Sequence, residues 1–161
     1  MAIVGKEKPI KQKRKKDNSL HEELCDKAEK WLKQQHYLVE SKKYLSSCSV
    51  ILKEMVSMSP EQPDCIGFNS SFSVLIECKT SRSDFKKDFK KIFRLYEYKG
   101  MGNFRFYLTL PGLLKPTELL EGWGLLELNG NKIKIIRESG YFSNTKENEY
   151  PLLFSALRRK Y

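Results

Sequence analysis

Apolar residues recur along this chain at two periods, and the switches between them divide it into elements. Leu20, Leu24, Ala28, Trp31 and Leu32 fall at three- and four-residue spacing, which predicts a helix ending near Gln35. The "SLHE" before it reads as a capping box, with Ser19 capping the first turn and Glu22 reaching back to the Ser19 amide. "YLVES" and "SVILKEM" predict short strands, and "SMSPEQP", polar with two prolines, predicts a turn. "DCIGF" and "SVLIECK" then alternate as two strands of a hairpin closed by "NSS". In "SRSDFKKDFKKIFRLYEYK", a helix over residues 81–99 is capped by Ser81 or Ser83, with Phe85, Phe89, Ile92, Phe93 and Tyr96 on one face. "FRFYLTL" predicts a strand and "PTELLE" a short helix opened by Pro116. "WGLLEL" and "KIKIIRES" form a hairpin through Asn129-Gly130, and "YPLLFSALRRKY" closes the chain as an amphipathic helix. This order predicts an α/β sandwich with a central mixed sheet flanked by helices.

Composition adds a boundary and a partner class. "GKEKPIKQKRKKDN" carries too little apolar area to offset its ordering entropy, so residues 1–17 are expected to be a disordered basic tail and residues 18–161 one domain. The formal net charge of +10, with a pI near 9.4, points to a polyanionic partner, DNA in the first instance. An anionic membrane surface would satisfy charge alone, but no apolar run is long enough to span a bilayer and no secretory signal opens the chain. A cytoplasmic location is therefore expected. Cys25, Cys48, Cys65 and Cys78 form no CxxC pair and have only His21 and His36 to complete a zinc set, so they read as reduced, buried small side chains.

Three charges interrupt the central hairpin. In "SVLIECK", Val74, Ile76 and Cys78 face one way and Leu75, Glu77 and Lys79 the other. Asp64 begins the partner strand at the level where Glu77 and Lys79 end the second, so the three can converge at one sheet end. Two carboxylates with a backbone carbonyl, that of Cys78, suit Mg²⁺, with Mn²⁺ as a substitute, and an adjacent ammonium can orient or activate water. The competing reading is an ordinary Glu-Lys pair at a solvated sheet end.

The run "PDCIGF…VLIECKT" resembles the PD-(D/E)XK nuclease superfamily, and "KTSRSDFKKDFKK" resembles its MmcB-like DNA repair nucleases at Lys79, Ser81, Asp84, Phe85, Asp88 and Lys90. The resemblance spans roughly residues 20 to 138, densest between 63 and 90, and implies a restriction-endonuclease-like sandwich. It implies that Asp64 and Glu77 hold metal, that Lys79 assists the water, and that Glu54 joins them. It also implies a supporting network of Ser81, Asp84, Asp88 and Lys90, with Lys86, Lys87, Lys91 and Arg94 on DNA phosphates. Lys91 and Arg94 depart from the family's usual Trp and Tyr. The superfamily's helix-one acid has no clear match: Cys25 stands in its place, with Glu22 and Glu29 a turn to either side.

The leading expectation is a Mg²⁺-dependent deoxyribonuclease in DNA repair, recombination or restriction, which would need a homodimer to cut both strands. The alternatives are a catalytically silent DNA-binding module with a nuclease fold, and the same chemistry directed at RNA or nucleotide repair.

Overall fold

The computed structural model describes residues 9–161. Helix α1 (Pro9–Leu32) starts ten residues before Ser19, within the stretch expected to be disordered; residues 1–8 of that stretch lie outside the described residues. Proline suits a first helical turn, and the Lys, Gln and Arg that follow are good helix formers with no glycine among them, so nothing stops the helix before Ser19. The expected capping box is therefore interior to α1, and Glu22 is exposed on it.

A short antiparallel pair, β1 (His36–Leu38) and β2 (Lys43–Leu45), follows α1. The second of these has no counterpart among the predicted elements, because "KYL" shows only one buried position. The main sheet has six strands in sequence order: β3 (Val50–Lys53), β4 (Cys65–Phe68), β5 (Ser73–Cys78), β6 (Phe104–Thr109), β7 (Gly124–Asn129) and β8 (Lys132–Arg137). The β5–β6 and β6–β7 pairs are parallel and the rest antiparallel, so the sheet is mixed as expected. The "NSS" loop closes as an Asx-turn, with Asn69 Oδ1 accepting from the Ser71 and Phe72 amides at 2.8 and 2.9 Å.

The pleat sorts two cores. Leu24, Ala28, Trp31 and Leu32 of α1 pack on Val74, Ile76, Phe106, Leu108 and Leu126. On the opposite face Ile66, Leu75, Tyr107 and Leu125 pack under Phe85 of α2 (Arg82–Asp88) and Leu152 of α4 (Lys146–Lys160). Helices thus cover both faces of an α/β sandwich. His36 is committed to this frame, stacked on Trp31 with centroids 3.9 Å apart. Among the described residues, no helix is long and apolar enough to cross a membrane.

Two predicted helices differ. "PTELLE" is only a 3₁₀ turn at Pro116–Glu118. The helix over 81–99 breaks after Asp88, resumes as α3 (Ile92–Leu95) and ends in a 3₁₀ turn at Glu97–Lys99. In one continuous helix, Asp88 and Arg94 would point about 120° apart, because six residues advance the screw by one and two-thirds turns. The break lets both face inward.

Gly124 marks the tightest approach in the sheet. A Cβ there would lie 2.5 Å from Phe106 Cε1 and 2.8 Å from the Arg137 carbonyl oxygen, both held by the sheet. Gly124→Ala should cost about 1–3 kcal/mol by overpacking. Urea unfolding should show a lower midpoint at unchanged slope, and an unchanged midpoint would refute the close packing described.

Candidate active site

The register Cys65↔Ile76 continues one residue outward to set Asp64 opposite Glu77, and β3 extends the row, since the Glu54 amide donates to the Asp64 carbonyl at 2.9 Å. Glu54, Asp64 and Glu77 therefore line the ends of three adjacent strands. The two faces of the sheet then surround this row with different chemistry.

On the α2–α3 face, Glu77 and Lys79 are 2% and 4% exposed. Lys79 Nζ lies 3.4 Å from Glu77 Oε2 and 3.5 Å from Asp88 Oδ1. Arg94, its side chain fully enclosed, donates from Nε to Asp88 Oδ2 at 2.8 Å and from a terminal nitrogen to Glu61, and stands 3.5 Å from Glu77 Oε2. Glu61 in turn accepts from the Met101 amide at 2.7 Å, and the Tyr107 hydroxyl donates to Asp88 Oδ2 at 2.7 Å. Lys91 closes the rim at 2.9 Å from Asp88. Three carboxylates thus face three cations. Burial opposes the charge of Asp88, yet Arg94 and Lys79 outweigh it and hold its carboxyl well below the usual range. Burial likewise opposes Lys79, but Glu77, Asp88 and Asp64 keep the ammonium above its ordinary value. Lys79 is a fixed positive charge at neutral pH.

On the α1 face, Asp64 Oδ2 accepts from the Cys78 amide at 2.8 Å, while Oδ1 lies 3.6 Å from His21 Nε2. That nitrogen is 3.3 Å from Glu54 Oε1 and 3.5 Å from Cys25 Sγ. Burial and then the facing Glu77 push the Asp64 carboxyl up to about 8. The hydrogen bond with Cys25, aided by Asp64 and Glu54, raises His21 to about 9. Cys25 is drawn down to about 6, chiefly by the hydrogen bond from the Cys78 thiol and then by His21.

Asp64 and Glu77 are two facing carboxylates; burial first and repulsion from Glu77 second raise Asp64 despite Lys79 and His21, so a divalent cation between them would relieve both. Glu54, its side chain half exposed, stands at the open end of the row.

The sequence-predicted residues divide accordingly. Asp64, Glu77, Lys79 and Glu54 come together at the sheet end, and Cys78 joins them through its backbone, its thiol turned to α1. Ser81 caps α2 by accepting from the Asp84 amide at 3.2 Å, Asp88 lies beside Lys79, and Asp84 acts on Lys79 only through charge. Lys90 does not join that network. It sits in the turn after Asp88, exposed, with no ion pair among the described residues. Arg94 is likewise not available to DNA, because the helix break turns it into the protein. Lys86, Lys87 and Lys91 remain on the surface. Neither Glu22 nor Glu29 reaches the site: Glu22 points to solvent and Glu29 pairs with Lys33 at 2.7 Å. Helix α1 contributes His21 and Cys25 instead, an i,i+4 pair visible in the sequence only as one face of a helix. Glu61, hidden in the proline-rich turn, left no periodic signal at all.

No protein-family profile and no curated protein matches the chain. Among solved structures, the SPO1766 protein of unknown function from Silicibacter pomeroyi is similar to it, with a TM-score of 0.49 and 26% identity over 69% of this chain and 76% of that one.

The raised Asp64 carboxyl has a testable sign. The folded protein holds that proton to higher pH than the unfolded chain, so ionising Asp64 opposes folding between the ordinary carboxyl value and about 8. In EDTA at pH 7, Asp64→Asn should be more stable than the parent by more than about 1 kcal/mol, and the gain should vanish below about pH 4. Urea titrations across pH measure it; a variant less stable at pH 7 would contradict these electrostatics.

Proposed function

We propose that the chain is a Mg²⁺-dependent endodeoxyribonuclease of the PD-(D/E)XK type, hydrolysing phosphodiester bonds in DNA repair, recombination or restriction. The observation that carries this reading is the convergence of Asp64, Glu77 and a buried Lys79 at one sheet end, the arrangement expected from the "PDCIGF…VLIECKT" resemblance. Asp64 and Glu77 would hold a divalent cation, which would supply Lewis acidity toward a phosphodiester oxygen. The remaining work falls to the chain's own groups. Lys79, charged at neutral pH, is suited to orient the attacking water and to stabilise negative charge growing on the phosphate, not to abstract a proton. Glu77 and Asp88 hold its ammonium in place from either side. Lys86, Lys87 and Lys90, exposed just beyond the motif, supply cations for flanking phosphates, consistent with a net charge of +10.

A second reading, a catalytically silent DNA-binding module, is favoured by one observation. Glu77 is 2% exposed and already has Lys79 and Arg94 at 3.4 and 3.5 Å, so a further cation must compete for it. Nicking of supercoiled plasmid with Mg²⁺, Mn²⁺ or EDTA separates the two. Under the nuclease reading, the parent nicks with metal and not with EDTA. Lys79→Met then loses at least a hundredfold in rate at every metal concentration, whereas Asp64→Asn recovers partly in Mn²⁺. Near-parental nicking by Lys79→Met would reduce Lys79 to a structural partner of Glu77, and DNA binding by a parent that never nicks would establish the silent module.

A further inference from the structure

His21 and Cys25 lie one helical turn apart on α1 and point to the same place. Glu54 meets them from the end of β3, in a backbone conformation that a glutamate rarely adopts: its φ is +48°. A left-handed residue of this kind is strained and persists where its surroundings impose it. Here the Glu54 amide is tied to the Asp64 carbonyl, and the result is a carboxylate turned back onto His21.

His21 Nε2 is crowded by more partners than one hydrogen bond can serve. One imidazole nitrogen carries one proton or one lone pair, yet Cys25 Sγ, Glu54 Oε1 and Asp64 Oδ1 stand around it at 3.5, 3.3 and 3.6 Å. Charge-assisted N–H···O bonds settle at about 2.7–2.9 Å, so neither carboxylate contact is well formed, and the contact with Cys25 is the one hydrogen bond this nitrogen makes. The spacing fits a different object. With zinc bond lengths to nitrogen, oxygen and sulfur, tetrahedral ligands lie about 3.4 Å apart for N and O and about 3.6 Å for N and S. The nitrogen–carboxylate and nitrogen–thiol distances here are 3.3 and 3.5 Å, while the thiol and carboxylate, within 4.8 Å of each other, would close toward about 3.6 Å on a shared ion.

We propose that His21 Nε2, Cys25 Sγ and a Glu54 carboxylate oxygen form a three-ligand site for a borderline divalent cation, Zn²⁺, with its fourth position open. The donors decide the class of metal. Thiolate and imidazole select zinc or cobalt over magnesium and calcium, while Asp64 and Glu77 next door present only hard oxygen. Access is built in, because Cys25 is fully buried as the inner ligand whereas the His21 and Glu54 side chains are 29% and 50% exposed. Sequence spacing argued against a zinc set because it sees no CxxC pair; the third ligand comes from a strand that meets α1 only in the fold. This site shares Glu54 with the strand-end row but uses neither Glu77 nor Lys79, so metal binding here can be read apart from hydrolysis.

Cobalt titration of the metal-free full chain tests it without any cleavage assay. One equivalent of Co²⁺ should produce intense tetrahedral visible bands and a thiolate-to-cobalt charge-transfer band in the near ultraviolet. Stoichiometric Zn²⁺ should bleach both, and a large excess of Mg²⁺ should not. Cys25→Ser should lose the charge-transfer band and Cys48→Ala should keep it. His21→Gln and Glu54→Gln, at partly exposed positions that spare the core, should each weaken Co²⁺ binding at least tenfold, which carries the test even if Cys25→Ser misfolds. Absence of the charge-transfer band, its survival in a folded Cys25→Ser, or parental affinity in both His21→Gln and Glu54→Gln would overturn the proposal.

Discussion

The burial of one guanidinium organises this molecule's sheet end. Arg94 has no solvent-exposed side-chain surface, and a buried charge of that kind is tolerated only when paired and hydrogen-bonded. Glu61, Asp88 and Glu77 meet it from a proline-rich turn, from the end of α2 and from β5, so satisfying one residue fixes three segments at once. Its flat face lies over the Trp123 ring at 4.5 Å, which couples the same residue to the strand-β7 side of the core. The interruption of the α2–α3 helix follows, because an unbroken helix cannot turn both Asp88 and Arg94 inward. So does the position of Lys79, whose ammonium is held between Glu77 and Asp88, two carboxylates that Arg94 also anchors.

That anchoring leaves the sheet end asymmetric. Toward α2 and α3, acids and bases balance, burial is nearly complete, and the pair geometry is set by structure. Toward α1, Asp64, Glu54, His21 and Cys25 are gathered with too few good hydrogen bonds, a raised carboxyl and one left-handed backbone residue. Asp64 belongs to both halves, facing Glu77 across the hairpin and His21 across the helix interface. A left-handed residue and ill-formed carboxylate contacts at one strand end are the kind of cost a binding site imposes on a fold, although the buried Asp88 Oδ1 and an Arg94 terminal nitrogen on the other face also lack a hydrogen-bond partner.

What could be read in the sequence was whatever depended on local period. Alternation in "SVLIECK" placed Glu77 and Lys79 on one face and Cys78 on the other, and the hairpin brought Asp64 level with them; the two cores bear this out. The mixed sheet and its flanking helices followed from element order. Nonlocal pairing was invisible. Arg94 looked like a member of a basic helix face because its partner Glu61 lies 33 residues away in a turn without periodic pattern. Lys90 seemed to belong with Asp88 because helical spacing ignores the break between them. The start of α1 was misplaced because a lysine-rich run has little apolar area but good helix propensity, and the two considerations point in opposite directions. β2 was missed because a three-residue strand with a single inward side chain has no period to detect.

The proposed chemistry requires that the row of strand ends, supported from below by the Arg94 network, take up a divalent cation beside Lys79. Anomalous diffraction from crystals soaked in Mn²⁺ measures this directly, since it locates the metal without reference to turnover. The expected result is an anomalous peak shared by the Asp64 and Glu77 carboxylates, with the Lys79 ammonium still held by Asp88 beside it. Crystals saturated with Mn²⁺ that show no peak between those two carboxylates, with Glu77 still paired to Lys79 and Arg94, would contradict it.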